Sequence, residues 1–188
     1  DTATQSLLSL FELQADLLQP TLALFSAMHI QHMNYYYVDL RHQRMTLTGT
    51  EAAWLVYGLE HHLFQDMSTR LKLFFHPWKQ GSSWFQAYQH HRQQQDLSAP
   101  WFKTDLCVEG QHGYHVLEIS HVQPLNIDQV NPLFDSIATF KKVSMRLQAQ
   151  HPELNMALAL PMSASQTKVD DLDVDKMEAE AIFDLYQI

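Results

Sequence analysis

Between Tyr35 and Val122 the chain alternates strand hairpins with helices, and that order limits the folds open to it. Tyr35-Tyr36-Tyr37-Val38-Asp39-Leu40 suits a pleated, half-buried surface and reads as an aromatic strand. Arg41 to Arg44 is a polar turn, and Met45-Thr46-Leu47-Thr48 a second strand. A helix is expected from Glu51 to at least Asp66, continuing in pieces up to Phe75, where His76-Pro77 ends it. His76 to Ser83 contains Pro77 and Gly81 and reads as a loop; Ser82 or Ser83 then caps a helix over Trp84 to Gln95. Trp101 to Glu109 and Tyr114 to Val122 form a second hairpin around Gly110-Gln111-His112-Gly113. Hairpin strands pair antiparallel and the helices must cover their apolar face. The expected class is α+β, one antiparallel sheet flanked by helices.

The flanks add helices. Leu7, Leu10, Phe11, Leu17 and Leu18 approximate helical spacing, and Leu22, Phe25 and Met28 resume it beyond Pro20, as one kinked helix or two short ones. After Pro124, Asp128 or Asn131 is expected to cap a helix whose apolar stripe runs from Leu133 through Ile137 and Phe140 to Leu147. Asn155 to Leu160 reads as a short strand or exit segment, Ser163 to Asp175 as linker and Lys176 to Tyr186 as a last helix. The expected division is a domain over residues 1–162 and an acidic linker with exit helix over 163–188. In the strand from Tyr114, Val116, Glu118 and Ser120 share its face while His115, Leu117, Ile119 and His121 share the other. Neither face is cleanly apolar, so alternation does not assign the buried side.

With 188 residues, 46% of them hydrophobic, the chain can bury one substantial core. No apolar run approaches the ~18 residues that suggest a membrane span, and Asp1 to Ser6 has neither the basic nor the apolar region of a signal peptide. The single cysteine, Cys107, cannot form an intrachain disulfide, which fits a reducing compartment; cytoplasm is the expectation. A net charge of −9 argues against direct nucleic-acid contact, because phosphate binding calls for a basic face. The densest basic run, Arg41, His42 and Arg44, is short.

On these residues, Tyr35 to about Val122 resembles a PAS domain. Leu73-Phe74-Phe75-His76-Pro77 resembles the His-Pro junction before a late PAS helix, with Trp78-Lys79 where that family usually carries acidic residues. Trp101 to Val122 resembles the final PAS hairpin, and Ala181-Ile182-Phe183-Asp184-Leu185-Tyr186-Gln187-Ile188 the lead-in to the helix-turn-helix of LuxR-type regulators. Together these imply the sensor half of a LuxR-type transcription regulator whose helix-turn-helix output is missing from this chain. Quorum-sensing members of that family place a Tyr before a Trp on one helix, with an Asp further on. Here Trp54 precedes Tyr57 and no Pro follows Asp66, so an acyl-homoserine lactone ligand is not implied.

A sheet covered by helices can enclose a cavity where a Trp N–H, a Tyr O–H or a carboxylate fixes the polar groups of a ligand. The candidates are Tyr35, Tyr37, Trp54, Tyr57, Asp66, His115 and Leu117, with plain core packing as the alternative for Trp54 and Tyr57. Asp66 discriminates, because a carboxylate beside Leu63, Phe64 and Met67 needs a partner if buried. Trp78, Trp84 and Trp101 bracket a loop-rich segment that suits a lid or a dimer surface.

Twelve histidines invite a metal site, at His61-His62, His90-His91 or His112 with His115. There is no His-Glu-x-x-His, and one cysteine supplies no multi-thiolate site, so neither metal nor cofactor is expected. Haem held by His76 has no local motif demanding it. Asp171-x-Asp173-x-Asp175 opens like an EF-hand loop but carries Lys176 in place of Gly and Ile182 in place of Glu. Cys107 between Leu106 and Val108 reads as an inert buried thiol, and without a nucleophile elbow or a Gly-rich phosphate loop no enzyme is expected.

The expected function is that of a cytoplasmic sensing domain of a bacterial LuxR-type regulator. It would bind a small, partly apolar signal between the sheet and the helices after Glu51, without touching a membrane. A homodimer would form through Leu7–Met28 or the Leu133–Leu147 stripe, with Lys176–Tyr186 leading to the output. The alternatives are a PAS or GAF input domain of a signalling enzyme such as a diguanylate cyclase, a metal- or haem-dependent enzyme using the histidines, and an interaction domain with a filled core.

Overall fold

The computed structural model describes residues 2–98, 102–152 and 156–157. The chain runs through α1 (Thr2–Ala23), β1 (Ile30–Asp39), β2 (Arg44–Gly49), α2 (Ala52–Glu60), a 3₁₀ segment (Leu63–Arg70), β3 (Phe74–Pro77), α3 (Ser83–Gln94), β4 (Phe102–Glu109), β5 (Gly113–His121), α4 (Asn131–Gln150) and β6 (Met156–Ala157). The strands form one antiparallel sheet in the order β3-β4-β5-β1-β2, extended at its edge by the two-residue β6. The class is α+β, a sheet flanked by helices, and this architecture is consistent with a PAS-like arrangement. The linker and exit helix of residues 163–188 lie outside the described residues.

Each face of the sheet has its own helical cover. On one side Tyr36, Val38, Cys107 and Val116 pack with Trp54, Leu55, Phe64, Trp84 and Tyr88 from α2, the 3₁₀ segment and α3. On the other, Tyr35, Leu106, Leu117 and Ile119 pack with Leu133, Phe134, Ile137 and Phe140 of α4. α1 contributes to both, Phe11 to the first cluster and Leu18 to the second. β5 is therefore buried along its whole length, which explains why its alternation marks no solvent face. The apolar stripe of α4 packs as core within its own chain.

Several boundaries differ from the sequence expectation. α2 stops at Glu60, because His62 adopts a left-handed conformation (φ 55°) and a 3₁₀ segment follows. Residues 74–77, expected as helix end and loop, are the edge strand β3, with Phe74 opposite Cys107 and Pro77 opposite Thr104. An edge strand accommodates Pro77 because its missing N–H can fall on the side without a ladder partner. Pro20 lies in the last turn of a single α1, so the hydrogen bond that its missing N–H forfeits is one of the helix's last. Ser82 caps α3 by accepting the Phe85 N–H at 3.2 Å, whereas α4 starts from Val130 without a side-chain cap. Gly113 opens β5 so close to β1 that a Cβ there would lie 1.8 Å from the Val38 carbonyl oxygen. Only glycine fits.

Candidate ligand-binding site

The β4–β5 register sets Asp105 directly opposite Glu118 and Lys103 opposite Ser120, all on the face covered by α2 and α3. Two buried carboxylates opposite one another repel unless cations join them. Arg70, the last residue of the 3₁₀ segment, does so. Its Nε and Nη2 donate to the two Asp105 oxygens at 2.9 and 2.7 Å, and Nη2 also donates to Glu118 Oε1 at 2.8 Å. Lys103 Nζ donates to Glu118 Oε2 at 2.8 Å and to Ser120 Oγ at 3.0 Å. Asn34 Nδ2, the Tyr36 hydroxyl and Trp54 Nε1 complete the shell of Glu118 at 2.8, 2.9 and 3.0 Å.

Aromatic rings enclose both cations. The Arg70 guanidinium lies 5.1 Å from the Tyr36 ring centre and 4.6 Å from those of Trp78 and Trp84. The Lys103 ammonium lies 3.8 Å from the Tyr88 ring centre and 4.8 Å from that of Trp78. Such contacts compensate for part of the lost hydration of a buried cation. Burial would push the Glu118 carboxyl up, but Lys103 and Arg70 outweigh it and hold the group at about 2. Burial opposes the charge on Arg70, and Asp105 and Glu118 overcome it to raise its pKa. Both groups are ionised at neutral pH.

The network reaches the neighbouring helices. Asn34 Oδ1 accepts the Glu51 N–H at 3.2 Å, just before α2. The Glu51 carboxylate accepts the Tyr88 hydroxyl at 2.6–2.8 Å and Arg92 Nη1 at 3.3 Å, both from α3. Arg92 also donates twice to the Ser98 carbonyl, at 2.9 and 2.7 Å. A continuous chain of charged and polar contacts thus runs from Asp105 to α3.

A cleft of about 380 Å³ opens above this network between the 3₁₀ segment, β3 and the start of α3. Its lining includes Arg70, Lys72, Lys79, Trp78, Ser83 and Trp84. Among the described residues, Arg70 Nη1, Trp78 Nε1 and Trp84 Nε1 are buried donors with no acceptor. Leaving three such groups unmet is costly, and a ligand acceptor would relieve it.

The seven residues singled out from the sequence do not form one site. Tyr35, Tyr37 and His115 line a separate cavity of about 350 Å³ on the α4 face, with Thr46, Lys141 and Ser144 among its walls. There the Tyr35 hydroxyl and His115 Nδ1 are 2.6 Å apart. Burial, helped by Lys141, lowers the His115 pKa to about 3, and burial raises that of Tyr35, so both are neutral at pH 7. Leu117 is core on that same face. Trp54 is wholly buried on the opposite face, and Tyr57 stacks between Trp54 and His61. Asp66 is exposed on the 3₁₀ segment, which removes the argument from a buried carboxylate. Among the described residues no three His, Cys, Asp or Glu side chains gather so as to hold a metal ion.

Sequence reasoning named Trp78 and Trp84 as a lid or dimer surface and missed Arg70, Lys103 and Asp105. The available signal was three charges, Lys103, Asp105 and Glu118, at alternating positions inside strands otherwise fit for burial. Trp54 serves the network rather than a cavity. Trp54→Phe should remove one hydrogen bond to a carboxylate and lower stability by about 1.5–3 kcal/mol in urea denaturation. An unchanged midpoint would refute that role.

No helix among the described residues is long and apolar enough to cross a membrane. Comparison of the chain with protein-family models, curated proteins and solved structures found no match.

Proposed function

We propose that this chain is the small-molecule-sensing domain of a bacterial LuxR-type transcription regulator, cytoplasmic and homodimeric, relaying its signal to a DNA-binding output. The observation that supports a binding role is the cleft over Arg70, whose wall holds three buried donors without acceptors. Its volume of about 380 Å³ suits a small molecule. Trp78 and Trp84 supply the apolar walls, in keeping with a partly apolar signal.

A sensor works only if the ligand binds two states with different affinity. Because the donors are buried, a ligand meets them only when the half-buried Trp78 shifts away from Arg70. That shift loosens a cation–π contact and strengthens Arg70 toward the ligand, which changes its grip on Asp105 and Glu118. The polar chain through Asn34 and Glu51 then offers a path to α2 and α3. For the dimer, α1 presents Leu13 and Leu17, exposed by 64% and 60%.

Native mass spectrometry of the purified protein, beside the same sample denatured, tests the reading. A small organic molecule retained in the native spectrum and lost on denaturation is the expected result. A clean apo mass, together with no stabilising compound in a thermal-shift screen of small metabolites, would transfer the case to an interaction domain.

A further inference from the structure

The chemistry of the cleft also specifies what its ligand must carry. Resting on the sensor reading above, we infer that the cleft between the 3₁₀ segment and α3 recognises a small organic anion through a carboxylate or phosphate group. Three independent features converge on negative charge.

First, the unmatched polar atoms of the residues lining the cleft are all donors. Arg70 Nη1, Trp78 Nε1 and Trp84 Nε1 can give hydrogen bonds and cannot accept them, so they select oxygen acceptors. Arg70 and Trp84 are only 6% and 8% exposed, which makes each unmet donor expensive and an incoming acceptor correspondingly favourable.

Second, α3 points its N-terminus at the same place. Ser83 and Trp84, its first residues, line the cleft, and the first-turn amides of a helix have no partner inside it. Ser82 covers the Phe85 amide and its own amide donates to the Lys79 carbonyl at 3.0 Å, so the amides of Ser83 and Trp84 are the ones open to an acceptor in the cleft. A helix of twelve residues carries a partial positive charge at that end.

Third, the rim is basic on a strongly acidic protein. Lys72 and Lys79 flank the opening, although the chain as a whole carries a net −9. The one acid in the lining, Asp105, is held at both oxygens by Arg70. A neutral ligand would leave the lysines and the helix end unused. A cation would face the Arg70 guanidinium and two lysines.

The rings set the shape of the rest. Trp78 and Trp84 stand with their centres 6.1 Å apart and planes at 59°, an angled apolar wall above the guanidinium. A short aryl or alkyl body beside the anionic group fits it.

The experiment is a titration of intrinsic tryptophan fluorescence in the whole chain with four probes: phenylacetate, phenyl phosphate, the neutral isostere phenylacetamide, and inorganic phosphate. Saturable quenching by at least one aryl anion is expected, with phenylacetamide at least tenfold weaker. Preference between the first two distinguishes a carboxylate from a phosphate ligand, and binding of inorganic phosphate alone would show that charge suffices. Lys79→Gln, at an exposed position, should weaken the preferred anion by about threefold without altering the fold. Trp84→Phe keeps an aromatic wall, though a smaller one, removes the donor and should cost about tenfold. Equal affinity for phenylacetamide and the acids, or no response to either variant, overturns the anionic assignment. Failure of every probe overturns it too. The sensor reading survives that failure if a neutral molecule appears in the native mass spectrum, and falls with it if none does.

Discussion

Glu118→Gln should cost about 3–5 kcal/mol, enough to unfold a marginal domain, because this carboxylate is the one that pairs with both buried cations, Arg70 and Lys103. The substitution is nearly isosteric, so lost packing is not the cause. Oε1 receives the Tyr36 hydroxyl and Arg70, while Oε2 receives Asn34, Trp54 and Lys103. An amide offers one acceptor oxygen and turns an NH₂ group toward the donors on the other side. It also leaves Lys103, which is 1% exposed, without its charge partner. Arg70 keeps Asp105, so the damage concentrates on Lys103. Urea denaturation followed by circular dichroism measures the loss. Adding Lys103→Met should restore part of it, since a buried unpaired cation costs more than an apolar chain of similar length. A single variant within 1 kcal/mol of the parent would show that Glu118 does not hold the network together.

The same cluster shows how much of the molecule the sequence made legible. Both hairpins were readable because turn residues and strand formers sit at short range; β4–β5 pairs around Gly110–Gly113 as expected, whereas the β1–β2 turn falls at Leu40–Gln43, with Arg44 already in β2 opposite Asp39. β3 was not, because Leu73-Phe74-Phe75 is an apolar run too short to separate strand from helix end; only pairing with β4 decides it. The site was legible in parts. Tyr35, Tyr37 and His115 do share a cavity, since alternation places the first two on one face and the antiparallel register brings His115 opposite Tyr37. Trp54 and Tyr57 come from a helix whose choice of face depends on tertiary packing, and they lie across the sheet from that cavity. Arg70 was invisible as a ligand-site residue because its partners are 35 and 48 positions away. The charges on β4 and β5 could still have announced it. Two strands joined by a four-residue turn starting at Gly110 put Asp105 against Glu118, and two facing acids in a buried hairpin require a cation from elsewhere.

Acid should destabilise this protein from about pH 6.5 downward, well before its carboxylates titrate. Burial depresses the pKa values of His32, His91, His115 and His121 in the folded state. Where a folded histidine binds its proton less readily than the unfolded one, the unfolded state gains protons first as pH falls. Stability therefore drops between the unfolded and folded values. For His115 that window runs from the ordinary histidine value of about 6.5 to about 3, so it alone removes about 3 kcal/mol by pH 4. Glu118 adds a second stage with its own sign. Its folded pKa is lowered, so its contribution is complete above about 4.5 and fades as pH falls toward about 2. His115→Gln separates the stages, because an amide keeps a hydrogen-bonding group near Tyr35 without a titrating proton. The variant should start less stable at pH 7 and lose less between pH 7 and 4, retaining only the shallower slope of the other three histidines. Urea midpoints at half-unit pH steps give the result. A parent whose midpoint stays flat from pH 7 to 5, or a variant with the parent's slope, would remove His115 as the source of the acid response.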